Sequence, residues 1–208
     1  MKNSLVFLLV LWLNPALGQS GLDESMEQLR LQYNESVNLK CNILIQVDVE
    51  GMNIPDKKVF VEFRGDEKPK VKGEGLSLLP KKGMVDQFRK LLNSSMQAIF
   101  LSKRGHQLVY KLVSLDANSD WITADLVFDE SSYLIYESVV NTRKFGTFTS
   151  IHRYSDHIYP DRSEVSFDVK KMKLPLKFIG SEQRTGNFPE KEENVKGKIT
   201  LTYTYLDL

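Results

Sequence analysis

VNLKCNILIQVDVE, from Val37 to Glu50, alternates almost without fault. Val37, Leu39, Cys41, Ile43, Ile45, Val47 and Val49 occupy one set of positions; Asn38, Lys40, Asn42, Gln46, Asp48 and Glu50 occupy the other, with Leu44 the one apolar intruder. Side chains on an extended chain point alternately to opposite faces, so a period of two over this length specifies a long strand with one apolar and one wet face. Such a face must be covered, either by an ordinary protein core or by something apolar that is not protein.

Upstream, MKNSLVFLLVLWLNPALGQS opens with Lys2 and runs through an apolar stretch from Leu5 to Leu13. Pro15 breaks it, and Ala16-Leu17-Gly18 supplies small residues before Gln19. The run is too short for a bilayer span, and a buried cytoplasmic helix would not normally start at Met1 and end in Ala-x-Gly. Residues 1–18 therefore read as a cleavable export signal. The single domain expected over 19–208 keeps roughly 190 residues, enough for a substantial core. No cysteine follows the apolar run, which points to a soluble exported chain, not a lipid-anchored one. Lys and Arg number 28 against 27 Asp and Glu, interspersed along the chain. This balance argues against nucleic-acid binding, which normally shows a basic excess or stripe. Cys41 is the only cysteine, so no internal disulfide can form and the core must suffice alone. Its place on the apolar face of a strand suits a buried, inert thiol.

Around that strand the chain reads as β with two helical interruptions. Leu22, Met26, Leu29 and Tyr33 fall at helical spacing in Gly21–Glu35, with Glu27, Gln28 and Arg30 facing out. KKVFVEF (57–63) reads as a second strand, Arg64 to Pro69 as a turn, and VKGEGLSLLP (71–80) as a third strand broken by glycines. MVDQFRKLL (84–92) breaks the rhythm with a short second helix. MQAIFLSK and HQLVYKLVSL form a hairpin about Arg104-Gly105; WITADLVFD and YLIYESVV form another through Asp129 to Ser132. FGTFTSIHRYS and EVSFDVKKM follow, separated by a turn containing Pro160, and GKITLTYTYLDL closes the chain. The polar segment between, about 180–196, reads as a mobile loop. A largely antiparallel sheet of about ten strands must curl, split or close.

Chemistry-bearing motifs are scarce. There is no nucleophile elbow, phosphate-binding loop, His-Glu-x-x-His or Cys-x-x-Cys, and Gly73-Glu-Gly75 is a fragment inside a strand. His152, Asp156 and His157 are the one constellation that could hold a metal or do acid–base work. On a continuing strand, however, His152 and Asp156 share a face that His157 does not, which favours solvated residues at a strand end. Asp129 and Glu130 sit in a turn, where acids are ordinary. Asn34-Glu-Ser36 and Asn93-Ser-Ser95 match a glycosylation pattern that means nothing in a bacterial chain. No catalytic residue, metal site or cofactor is expected. What stands out is apolar supply, including Phe88, Leu91, Leu92, Phe100, Leu108, Tyr110, Leu112, Trp121, Leu126, Phe128, Phe145 and Phe167. Either these fill the core among themselves, or the curved sheet is too wide for its own side chains and holds a ligand.

The leader, helix and long alternating strand, then KKVFVEFRGDEKPKVKGEG, WITADLVFDESSYLIYESV, VKGEGLSLLPKKGMVDQF and GKITLTYTY, resemble in layout the LolA/LolB superfamily. The likeness is strongest to the divergent outer-membrane lipoprotein-sorting proteins of Bacteroidetes, and it covers nearly the whole mature chain. The resemblance implies a mainly β (α+β) fold: a curved, unclosed antiparallel barrel of about ten to eleven strands with helices on its concave face. It implies a periplasmic carrier, expected to be a monomer, that takes lipoprotein acyl chains or other lipid into an apolar cavity. The cargo would come from an inner-membrane lipoprotein-releasing transporter and pass to an outer-membrane acceptor. On this expectation the cavity is lined by Leu39, Ile43, Ile45, Val47, Val61, Phe63, Phe88, Leu91, Tyr110 and Phe128, with Met26, Leu29 and Tyr33 on a lid. The arginine that such carriers place on an early strand to hold the lid is missing from the apolar face here; Arg64, expected in a turn, is the weak substitute. The same fold also serves sensory or regulatory domains, which is the alternative function.

Overall fold

The computed structural model describes residues 20–34, 38–49, 53–64, 70–73, 83–155, 159–170 and 194–207. Two helices, α1 (Ser20–Asn34) and α2 (Gly83–Leu92), accompany ten strands. The strands are β1 (Asn38–Val49), β2 (Lys57–Arg64), β3 (Lys70–Gly73), β4 (Met96–Arg104), β5 (Gln107–Ser114), β6 (Trp121–Asp129), β7 (Ile135–Thr142), β8 (Gly146–Arg153), β9 (Arg162–Lys170) and β10 (Asn194–Asp207). The export signal, Glu74–Pro80 of the expected third strand, Asp156, His157 and most of the expected loop lie outside the described residues. At its end that loop gives way earlier than expected, because β10 starts at Asn194 and pairs there with Lys170 of β9.

All ten strands form one antiparallel sheet in the order β3-β2-β1-β10-β9-β8-β7-β6-β5-β4. The sheet is open, and its two edges, β3 and β4, are consecutive in the sequence with α2 between them. The chain thus begins in the middle of the sheet, runs out to one edge, crosses to the other through α2, and meanders back until β10 pairs with β1. β1 is the strand read from the opening stretch, and its alternation survives intact: Leu39, Cys41, Ile43, Ile45 and Val49 are buried while Asn38, Lys40, Asn42, Gln46 and Asp48 are exposed.

Register carries that inner face across the sheet. Ile43 stands between Val59 of β2 and Tyr203 of β10, and Ile45 beside Leu201. Val49, Gly197 and Phe167 lie in line across β1, β10 and β9. A Cβ on Gly197 would come within 2.4 Å of the Phe167 ring and 2.8 Å of Val49, so only glycine lets those two side chains meet over β10. Continuing, Phe167 faces Phe148, Phe148 faces Val140, Val140 faces Ala124, and Ala124 faces Leu112. Gly105, at the tip of the β4–β5 hairpin, has φ +61°, the left-handed conformation this turn needs and glycine adopts without cost.

Arg64 is the last residue of β2, not a turn residue. It pairs with Glu62 at 2.8 Å on the outer face, two positions apart and therefore on the same side. Phe145, counted as core from composition, is half exposed at 52%; it sits in the tight turn between β7 and β8, held by the Thr142 hydroxyl accepting its N–H at 3.0 Å.

Candidate functional site

Three apolar clusters line the inner face, one under the helices, one of strand residues alone, and a smaller one of Val49, Ile54 and Phe167, and a band of buried serines and a histidine lies beside the last, between the first two. The first lies under the helices. Met26, Leu29 and Tyr33 of α1 and Phe88, Leu91 and Leu92 of α2 pack on Leu108, Tyr110 and Leu112 of β5, on Ala124, Leu126 and Phe128 of β6, and on Ile135. Three polar ties fix the helices there. The Tyr33 hydroxyl accepts the Ile135 N–H at 3.1 Å, Arg89 Nε donates to the Tyr33 carbonyl at 3.0 Å, and the amides of Asn34 and Asn93 bond each other at 2.7 and 3.2 Å. Rings continue the packing, with Tyr33 edge-on to Phe88 at 5.5 Å and Tyr110 stacked on Phe128 at 5.6 Å.

The second region contains strand residues alone, among those described. Cys41, Ile43, Ile45, Val59, Val61 and Leu201 are buried together, with Val47, Phe63, Val71, Val165, Ile199, Tyr203 and Tyr205 partly buried around them. Burial pushes the Cys41 thiol up to about 11, which removes the thiolate needed for nucleophilic work at neutral pH. Tyr203 and Tyr205 stack with planes 3° apart, and burial raises both phenols, so neither ionises in the physiological range.

The band between the regions is the feature that sequence reasoning missed. Ser138 of β7, Ser150 and His152 of β8 and Ser163 of β9 are all buried, on the inner face of three adjacent strands. His152 is 2% exposed, whereas its apolar neighbour Ile151 is 41% exposed; a solvated place for His152 is therefore corrected. Register forces the inversion. Phe148 pairs with Phe167 on the inner face, so the two residues that follow at a period of two, Ser150 and His152, must also face inward. His152 Nδ1 lies 2.9 Å from Ser163 Oγ, and Ser163 in turn bonds the Tyr203 phenol. The ring stands edge-on to Phe88 of α2 at 5.5 Å. Nε2 is buried and has no hydrogen-bond partner among the described residues. Burial holds the imidazole down to about 4, so it is neutral at physiological pH.

The residues expected at the site thus divide. Ile43, Ile45, Val47, Val61 and Phe63 fall in the strand-only region. Phe88, Leu91, Tyr110, Phe128, Met26, Leu29 and Tyr33 come together under the helices. Leu39 is buried on β1 on the same inner face. No group of three His, Cys, Asp or Glu side chains comes together among the described residues. A signal for the band was present in the serines that fall on the inner register of FGTFTSIHR and RSEVSF, but it is visible only once Phe148 and Phe167 are known to pair.

No family model and no curated protein matches the sequence. Among solved structures, a LolA superfamily protein from Nitrosomonas europaea superposes with a TM-score of 0.51 at 11% identity, covering 88% of this chain and 94% of that one. An outer membrane lipoprotein-sorting protein domain from Vibrio parahaemolyticus, at 13% identity, covers 88% and 91% with a TM-score of 0.40. The MucA/MucB complex of Pseudomonas aeruginosa, at 10% identity, covers 87% and 94% with a TM-score of 0.29. The last two scores are too low to bear on the argument. The first shows that this chain, an open antiparallel sheet with helices packed on one face, shares its overall fold with that protein.

Proposed function

We propose that the protein is an exported periplasmic carrier that binds acyl chains, of a lipoprotein or another lipid, without covalent chemistry and moves them toward the outer membrane. The observation that supports this most is the strand-only region. Its inner face is apolar over five neighbouring strands, β9, β10, β1, β2 and β3, yet neither helix contributes a side chain to it among the described residues. In this reading an acyl chain lies along Leu39, Ile43, Ile45, Val47, Val61 and Phe63. The helix-covered region acts as the cover, with Phe88, Leu91, Tyr110 and Phe128 beneath and Met26, Leu29 and Tyr33 on the part that gives way.

The energetics are adequate. A buried methylene contributes about 0.8 kcal/mol, so burying about ten of them reaches the roughly 8 kcal/mol of micromolar affinity. Tighter binding would hinder release, and a carrier must let go. In this reading an inner-membrane transporter loads the protein and an outer-membrane acceptor unloads it.

Native mass spectrometry of the protein, purified without detergent from the periplasm that produces it, tests the proposal. A co-purifying acylated species is the expected result, and its mass distinguishes lipoprotein from free lipid. A clean apo mass, with no uptake of added lipidated peptide, would sink the carrier reading.

A further inference from the structure

Leu44 breaks the alternation of β1, and the core does not absorb it. It points to the outer face of the sheet. There it and Phe60 of β2 are half-buried, and neither belongs to any of the three buried apolar clusters. Around this pair the outer face of β1, β2 and β3 is basic. Lys58 stands opposite Leu44, Lys72 stands opposite Phe60, and Lys40 and Lys70 flank Glu62 from its two neighbouring strands. All four lysines are exposed. The hydrogen bond from Arg64, with the charges of Arg64, Lys40 and Lys70 behind it, holds the Glu62 carboxyl below the usual carboxylate range. One acid is thus shared among three cations. The other described acid at an outward position of these strands is Asp48, at the far end of β1. In a chain whose charges balance, 28 against 27, this is a local excess of positive charge.

Edge protection accounts for only part of it. Lysines on a sheet edge discourage the addition of another strand, and β3 is an edge. Lys40 and Lys58, however, lie on interior strands, and the other edge, β4, turns Ile99 and Leu101 outward at 40% and 49% exposure. We infer that the outer face of β1, β2 and β3 docks on an anionic phospholipid surface, with the lysines at the headgroup phosphates and Leu44 and Phe60 against the apolar boundary beneath. The residue types favour a bilayer over an acidic peptide. Lysine is a flexible point charge that suits a diffuse negative potential, whereas a specific carboxylate is better met by the planar fork of arginine. The one arginine here is already bonded to Glu62 at 2.8 Å. Apolar contact and attraction to anionic lipid add together at a membrane surface, and lysine stems can lie along Leu44 and Phe60 while their ammonium groups stay among the headgroups. This inference does not depend on what the inner face binds.

Co-sedimentation of the whole mature protein tests it, with vesicles of phosphatidylcholine alone and of phosphatidylcholine mixed with an equal part of phosphatidylglycerol. Binding is expected to the mixed vesicles only, and to weaken as salt screens the charges. Lys58→Gln combined with Lys72→Gln is expected to reduce that binding about twentyfold, at roughly fivefold for each cation near the surface. Phe60→Ser is expected to weaken the binding that survives at high salt. Lys103→Gln combined with Lys144→Gln removes the same charge from exposed positions elsewhere and is expected to change nothing. Equal weakening by the two lysine pairs would reduce the effect to net charge and overturn the docking face. Binding to both kinds of vesicle alike, indifferent to salt and to either pair, would also overturn it; that is the pattern expected of lipid uptake by the inner face. Binding to neither vesicle overturns it as well, and capture of soluble polyglutamate in that case would give the face to an acidic protein instead.

Discussion

Two halves of one face behave differently. Under the helices, Leu29, Leu112, Ala124, Leu126, Phe128 and Ile135 show no measurable exposure, and polar ties from Tyr33, Arg89 and the Asn34–Asn93 pair hold the cover in place. Across the band, the face built by β1, β2, β3, β9 and β10 is buried as closely, with Cys41, Ile43 and Ile45 at 0–3% exposure, but it is composed chiefly of valine and isoleucine, with tyrosines at one end, and meets no helix side chain among the described residues. β-branched side chains are stiff and suit a pleated surface, but they are shorter than the Leu, Phe and Tyr side chains that reach up to meet the helices. The first half thus reads as invested in the stability of the protein, while the second presents a smooth apolar wall. The difference teaches that one apolar inner face need not be packed in one way: long side chains reach up to helices, whereas short β-branched ones pack among the strands.

Phe128→Ala should show the largest effect on stability. It removes a fully buried ring stacked on Tyr110 and should cost about 3–5 kcal/mol in urea unfolding; a loss under about 1 kcal/mol would mean the helix-covered half is loosely packed and the contrast is false. Acid should act next, through the band. His152 sits at about 4 in the fold against an ordinary 6.5. Below pH 6.5 the unfolded chain takes up the proton first, so this contribution is intact above pH 6.5 and is lost as pH falls toward 4, by about 3 kcal/mol in all. The difference between wild type and His152→Phe in unfolding midpoint across that window measures it, and identical pH profiles would refute a buried neutral imidazole.

Tyr33→Phe should cost less, about 1–2 kcal/mol, because it leaves the buried Ile135 N–H without its acceptor. Hydrogen exchange of α1 amides should speed up while β1 and β10 are unaffected; equal acceleration in both halves would show that they open as one unit. The smallest stability change is expected for Val47→Asp, about 1 kcal/mol, since the side chain is only half-buried. In the acyl-binding reading this variant nevertheless loses uptake of lipidated peptide, whereas Tyr33→Phe keeps it. Undiminished uptake by Val47→Asp would remove the strand-only half from the site.

Much of the architecture was legible. The period of two in β1, the helical spacing of Met26, Leu29 and Tyr33, and the paired hairpins about Gly105 and Asp129 are local signals, and local signals are written in neighbouring residues. The site was legible only in outline. Ile43 and Val61 could be placed on apolar faces, but nothing in their own segments says that one group of apolar residues meets helices and another does not. Arg64, Phe145 and His152 show how residue type alone misleads: an arginine expected in a turn was a strand residue, a phenylalanine expected in the core was a turn residue, and a histidine expected at a solvated strand end was interior.

The sequence by itself determined the strands, the two helices, the lack of disulfides and the one-sided apolar pattern, because each depends on residue type at a fixed spacing along the chain. Tertiary structure alone decided which inner residues face a helix, which face one another across β1 and β10, and why Ser150, His152 and Ser163 are buried. The pairing of β10 with β1 joins residues some 150 positions apart in the chain, as Ile45 and Leu201 show, and the register of Phe148 with Phe167 carries the polar band inside. Register is a relation between strands, and a periodic pattern within one strand leaves it open until the partner strand is in place.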